Sequence, residues 1–313
     1  MNILLSVIIV NWNTKELLKR CLKSLDKYLS LDNIPYEIIV VDNASSDSSQ
    51  EMVKKEFPHV KLIENKDNLG FVKANNQAVK IASGKYFVLL NSDTEMIGAG
   101  AREIIDFMHN NKKVAIVSGK VYNPDMTIQP SCRRFPSLWR LYLENTFTLI
   151  KHIPTFLYNR YIMKNFDYNS IKKIDWVSGA YMYLPKKLID KYGLFDEHIF
   201  MFYEDTLLCY KFTKLGYDIY FYPSAPIIHY HGYSTKKVRV TSIYNSFKGS
   251  VYYASRVYSP KIATWYKNFV ISTWKVIYFS FLLLDLFIPW HNFKKKKEQF
   301  YYMLQKIYDE KYF

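Results

Sequence analysis

The chain has 313 residues, 49% of them hydrophobic and 18% aromatic, which is enough to bury a large core and excludes a disordered polymer. Its formal charge of +15 is uneven, because residues 1–240 carry 32 basic and 24 acidic side chains and residues 241–313 carry 11 and 4. The excess asks for an anionic partner, and nucleic acid, anionic lipid and phosphorylated substrates all qualify.

The apolar start Ile3–Val10 lacks a basic leader and is too short to span a bilayer, so it is expected to be the first strand. Its β-branched run ends in Asn11-Trp12-Asn13-Thr14, after which Leu17, Leu18, Cys21, Leu22 and Leu25 recur at helical spacing. Tyr36–Val41 repeats the pattern and exits into Asp42-Asn43-Ala44-Ser45-Ser46-Asp47, a loop rich in capping residues, before a helix around 51–56. A short third strand at 60–63 leads to Asn68-Leu69-Gly70-Phe71 and a helix over about 72–82. The fourth strand, Phe87–Leu90, runs into Asn91-Ser92-Asp93, which is either an ordinary turn or a carboxylate aimed from a strand end at a divalent cation. Strands alternating with helices predict an α/β fold with a mostly parallel sheet, whose ligand edge is shared by the loops at Asn11, Asp42, Asn68 and Asp93. The chain has no Gly-x-Gly-x-x-Gly after the first strand and no Gly-Lys-Ser/Thr, so a nucleotide would have to be held by side chains and a metal.

Further along, Val114–Val117 continues the sheet, and Arg133-Arg134 is either a solvated pair or a clamp on an anion. Residues 138–170 are aromatic-rich and carry no motif. Asp175-Trp176-Val177-Ser178-Gly179-Ala180 precedes a strand at 181–184, and Trp176 is either a core residue or a platform on which a sugar ring stacks. Glu204 and Asp205 open a helix closed by Gly216, where acids favour the helix dipole or where one could act as a general base. His229 and His231, two residues apart on a strand, face one side and form a candidate metal-ligand pair. Cys21, Cys132 and Cys209 have no metal-ligand spacing and cannot all pair, which fits a reducing compartment and no zinc site.

These motifs, Ser6-Val-Ile-Ile-Val-Asn-Trp-Asn13, Val40-Val-Asp-Asn-Ala-Ser-Ser-Asp47, Asn68-Leu-Gly-Phe71 and Leu89-Leu-Asn-Ser-Asp93, together resemble family-2 glycosyltransferases with the GT-A fold. The resemblance spans about residues 4–240 and is nearest the bacterial rhamnosyltransferase-like branch that builds surface polysaccharides. It implies that the first loop (Val10, Asn11, Asn13) and Asp42-Asn43 hold the nucleobase, and that Asn68, Gly70, Asn75, Asn76, Asn91 and Ser92 line the nucleotide pocket. Asp93 would bind Mg²⁺ or Mn²⁺ on the diphosphate, with His229, or else His231, completing the metal shell; Asn91 stands where a strict Asp-x-Asp motif has its first acid. Trp176, Gly179 and Ala180, with Arg133 and Arg134, would face the acceptor. Asp205, supported by Glu204, would be the base of an inverting transfer from a nucleoside-diphosphate sugar, dTDP-rhamnose or a UDP-sugar, to a lipid-linked or polymeric glycan. The alternatives are a nucleotidyltransferase of related fold and a non-catalytic membrane adaptor.

The expected organisation is a catalytic domain over 1–240, divided at about 110 into nucleotide and acceptor halves, and a helical tail over 241–313. In the tail, 269–290 is apolar and aromatic but interrupted by Lys275 and Asp285, and Lys294–Lys297 follows. This pattern predicts an interfacial helix or helical pair on an anionic membrane, peripheral at the cytoplasmic face, or else a helix packed on the catalytic domain. Nucleic acid is not expected, since the aromatics form a block rather than alternating with basic residues.

Overall fold

The computed structural model describes residues 3–147, 161, 163, 165–230, 239–287 and 291–309. They form two compact units: Met1–Phe135, Asn159–Phe200 and Glu204–Lys237 make the first, and Pro136–Tyr158, Met201–Tyr203 and Val238–Phe313 the second. Thus 138–147 and 201–203, which the sequence reading placed in the acceptor half, group with the tail.

The first unit opens with β1 (Leu5–Asn11), α1 (Lys15–Leu31), β2 (Tyr36–Asn43), α2 (Ser49–Glu56), β3 (Lys61–Asn65), α3 (Gly70–Ile81) and β4 (Tyr86–Asn91). The strands lie in the order β3-β2-β1-β4, all parallel, with Asn11 opposite Asp42 and Val10 opposite Asn91. That register sets the polar strand exits on one edge. β1, β2 and β4 are β-branched or apolar runs buried on both faces, as a sheet covered by helices requires. Leu18, Leu22, Leu25 and Leu29 of α1 form the covering stripe.

Next come β5 (Thr94–Met96), α4 (Ala101–Asn110), β6 (Val114–Ser118), β7 (Val121–Tyr122) and β8 (Cys132–Arg133). After α5 (Leu138–Phe147) of the second unit, the first resumes with β9 (Lys172–Ile174), β10 (Trp176–Val177), β11 (Tyr181–Pro185) and α6 (Lys186–Tyr192). It closes with α7 (Glu204–Lys214), β12 (Asp218–Phe221) and β13 (Ile227–His229). The main sheet continues β4-β11-β6-β12-β9, and β11 runs antiparallel to both neighbours. The sheet is therefore parallel in its first half and mixed in its second, a difference the sequence hides because a fully buried apolar strand looks the same in either direction. A separate three-stranded sheet, β5-β13-β7, pairs His229 with Thr94.

One long-range cap holds the outer layer. Asp32, just beyond α1, accepts the N–H groups of Gly100 and Ala101 at 2.9–3.0 Å, satisfying the start of α4, which has no side-chain cap of its own. Asp32→Ala is expected to cost about 1–2 kcal/mol, read as a lower urea midpoint with unchanged slope.

The second unit packs α5 with α8 (Arg239–Val257), α9 (Pro260–Phe287) and α10 (His291–Asp309). Phe247, Tyr266, Val270, Trp274, Phe300 and Met303 are buried. The Trp274 indole N–H donates to the Asn145 carbonyl at 3.0 Å, and the Asn145 amide donates to Tyr266 and Ser250 at 2.9 and 3.2 Å, so these four polar side chains and backbone groups are joined in one buried network. Lys294–Lys297 falls in the first turns of α10, and residues 288–290 lie outside the described set. No helix among the described residues is long and apolar enough to cross a membrane.

Candidate active site

The first two loops interlock at the sheet edge. The Asn11 amide donates to Asp42 Oδ2 at 2.7 Å and to Ser45 Oγ at 3.1 Å, while its carbonyl accepts the Thr14 hydroxyl at 2.6 Å. The other Asp42 oxygen takes the Ser45 N–H at 2.9 Å and the Gln50 amide at 2.6 Å. Asp47 adds a bond from the Lys15 N–H at 2.8 Å, capping α1. Asn13, at φ 54°, is half-buried and turns its carbonyl to the Ser46 N–H at 2.8 Å. This network frames a rim on which Asn13, Asn68 and Asn91 keep exposure.

The third loop is locked from the far side of the unit. Gly70 has φ +84°, and a Cβ there would stand 2.6 Å from the Phe200 ring, so both its conformation and its space demand glycine. The Phe200 carbonyl accepts the N–H groups of Phe71 and Val72 at 3.0 and 3.4 Å. Asn76 donates to the Phe195 carbonyl at 3.0 Å and Asn75 to the Phe71 carbonyl at 2.8 Å.

At the exit of β4, Asp93 Oδ1 lies 3.2 Å from His229 Nε2, and both residues are almost buried, at 8% and 5% exposure. The Tyr230 N–H donates to the Asp93 carbonyl at 2.9 Å, holding β13 against the turn. Gln129 sets the imidazole: its amide nitrogen donates to Asn123 Oδ1 at 2.8 Å and to the His229 carbonyl at 3.3 Å, so its oxygen, 2.7 Å from Nδ1, must accept the Nδ1–H. Nε2 is thereby left facing the carboxylate, and a cation between the two would bind both. Among the described residues no cluster of three His, Cys, Asp or Glu could hold a metal ion. One carboxylate and one imidazole nevertheless fit Mg²⁺ or Mn²⁺, which complete their shells with water and substrate phosphate oxygens. His231 lies outside the described residues.

At the start of α7, Asp205 Oδ2 accepts the Gly179 N–H at 2.8 Å, and Oδ1 accepts the N–H and hydroxyl of Thr206 at 2.6 and 3.1 Å. Burial pushes this carboxyl above the ordinary aspartate range; the bonds from Gly179 and Thr206 and the nearby Arg133 guanidinium pull it back only in part. The result is a stronger base than a solvated aspartate. The next residue along from Gly179 ties this carboxylate's loop to the exit of β4, because the Ala180 carbonyl accepts the Asn91 N–H at 3.1 Å. Glu204 beside it is buried.

Several expectations need correction. Trp176 is 9% exposed, donates its indole N–H to the Arg134 carbonyl at 2.9 Å and lies under the Arg133 guanidinium at 5.3 Å, so it is a core residue and not a sugar platform. Arg134 is the solvated partner of Asp175 at 3.2 Å. Asp42, the base-reading residue implied by the resemblance, is fully buried, and its oxygens accept from Asn11, Ser45 and Gln50. Asn11, Asn43 and Asn75 are buried likewise, and Asn76 holds the 195–197 turn. Gln129, Ser45 and Phe200 were missed. Ser45 was legible as a capping residue, whereas a lone glutamine 100 residues from its histidine gives no sequence signal.

Residues 6–170 match the model of "Glycosyl transferase family 2". The chain belongs to this family. This glycosyltransferase is 24% identical over 244 residues to the N-acetylglucosaminyl-diphospho-decaprenol L-rhamnosyltransferase of Mycobacterium tuberculosis, covering 74% of this chain and 77% of that one. It is 23% identical over 220 residues to the low-salt glycan biosynthesis hexosyltransferase Agl10 of Haloferax volcanii, covering 69% of this chain and 63% of the relative. Among solved structures it resembles the mannosyltransferase PcManGT of Pyrobaculum calidifontis in complex with GDP-Man and Mn²⁺, with a TM-score of 0.52, 15% identity and coverage of 98% and 88%. That likeness supports the GT-A-type fold of the glycosyltransferase, and the family membership displaces the nucleotidyltransferase and adaptor alternatives.

Proposed function

We propose that this glycosyltransferase moves a sugar, with inversion, from a nucleoside-diphosphate donor to a hydroxyl of a lipid-linked or polymeric cell-surface glycan. The observation that carries the reading is the linkage of the two chemical groups through adjacent residues: Gly179 orients Asp205, and Ala180 is bonded to the strand that ends in Asp93. Inversion needs a base on the acceptor side while charge develops on the departing diphosphate. Asp205 is the base. Its raised proton affinity suits removal of a hydroxyl proton as that oxygen attacks the anomeric carbon. Asp93 and His229 would hold Mg²⁺ or Mn²⁺, which when bound offsets the negative charge of the leaving diphosphate. Exposed Asn68 and half-buried Asn13 and Asn91 would meet the nucleotide. The names of the relatives favour a rhamnosyl or other hexosyl group as the sugar moved and an N-acetylglucosaminyl-diphospho lipid as acceptor.

Calorimetric titration of the full chain with UDP, dTDP and GDP, each with Mn²⁺ and again after chelation, tests this. One nucleotide is expected to bind, and only with metal. Binding of none in either condition, or equal binding after chelation, overturns the metal-and-diphosphate part of the reading.

A further inference from the structure

The helical unit carries an apolar face that its own core does not use. Along α9, Ala263, Tyr266, Val270, Trp274 and Phe281 are buried and form one stripe at helical spacing. A second stripe, Ile262, Trp265, Phe269, Val276, Phe279 and Leu283, follows the same spacing on the opposite side and stays exposed, with Trp265, Val276, Phe279 and Leu283 each about 60% accessible. A helix polar on its outer side is the ordinary way to finish such a bundle, and this one is apolar on both. At about 1.5 Å per residue the outer stripe is about 32 Å long.

Aromatic stacking widens it. Trp139 stacks on Tyr142 at 5.3 Å, Tyr142 meets Phe269 at 4.7 Å, and Phe269 stacks on Trp265 at 5.3 Å with an interplanar angle of 8°. The two ends of this ladder, Trp139 and Trp265, are 58% and 60% exposed. Exposed lysines 261 and 275 border the stripe on one side by the same helical spacing, and residues 241–313 carry seven more basic than acidic side chains.

We infer that this face of α9, with Trp139, lies in the surface of an anionic lipid bilayer. A long, mostly apolar stripe, here interrupted by Ser272, tryptophans at its edge and a basic surround are the three features that hold a helix in the plane of a membrane. The apolar side chains enter the boundary between headgroups and acyl chains, the indoles sit at headgroup level, and the lysines meet lipid phosphates. The helix lies flat rather than crossing, since it falls short of the apolar length and purity a span needs. The charge of residues 241–313 favours this occupant over a second copy of the chain, which would bring another excess of seven positive charges against the first. The inference stands on the helical unit alone and does not depend on the donor or metal reading.

The test is co-sedimentation of the full chain with vesicles of phosphatidylcholine alone and of phosphatidylcholine with 30% phosphatidylglycerol, together with quenching of tryptophan fluorescence by bromolipids. The wild type is expected to sediment with the anionic vesicles, less so in high salt, and to be quenched. The triple variant Trp265→Ser/Phe269→Ser/Phe279→Ser is expected to lose at least tenfold in vesicle affinity while keeping its melting temperature and its nucleotide binding, because the three side chains face outward. Charge reversal by Lys261→Glu/Lys275→Glu, which leaves the stripe intact, is expected to weaken binding to anionic vesicles only. A wild type that stays in the supernatant, or a triple variant that binds as well as wild type, overturns the inference. A wild-type dimer in sedimentation velocity that the triple variant breaks, with no vesicle binding, assigns the face to a second copy and overturns it equally.

Discussion

Asp205→Asn is expected to lower kcat by about 10²–10⁴-fold, the range of general acid–base contributions, while donor nucleotide binds nearly as well as to the wild type. The carboxylate is held from both sides, by Gly179 and by Thr206, so the amide keeps the shape of the site but loses the proton acceptor. Loss of donor affinity together with turnover would show that Asp205 organises the loops and does not take the proton. The wild-type pH profile provides a second check. A base must be ionised to act, so activity falls as pH drops through its pKa, and burial has moved that pKa upward. Arg133 favours the ionised form through its charge, and Arg133→Gln therefore should move the acidic limb of kcat to higher pH. A limb that stays in place would mean that another group controls it.

Asp93→Ala should abolish metal-dependent donor binding, because it removes the carboxylate that meets His229 at the strand exit. The informative companion is Gln129→Met. Gln129 touches neither the carboxylate nor, in this reading, the cation, but its oxygen takes the Nδ1–H and thereby presents Nε2. Removing such a support typically weakens metal affinity about 10–100-fold. Mn²⁺ titration followed by electron paramagnetic resonance reads this directly, with or without nucleotide. Unchanged Mn²⁺ affinity in Gln129→Met would show that His229 is not a ligand, and unchanged affinity in Asp93→Ala would remove the cation from this strand altogether.

The sequence by itself determined the first half of the fold. Ser6–Val10, Tyr36–Val41 and Phe87–Leu90 are strands wherever they are placed, because their β-branched and apolar side chains need burial on both faces and the helices between them carry matching stripes. It also determined that amides and carboxylates stand at the exits, since chain order fixes which residues follow a strand. Tertiary structure alone decided which of those groups are open to a ligand. Asp42 and Asn11 look like contacts in sequence, yet both are buried and bond each other across β1 and β2, because parallel register sets them side by side. The antiparallel course of β11, invisible in its apolar composition, is what brings Gly179 and Ala180 between Asp205 and Asn91. The small β5-β13-β7 sheet likewise carries His229 back to Asp93 over 136 residues of chain, with Gln129 reaching the same imidazole. Periodicity reports which side of an element is buried, whereas only closure of the whole chain reports what it is buried against.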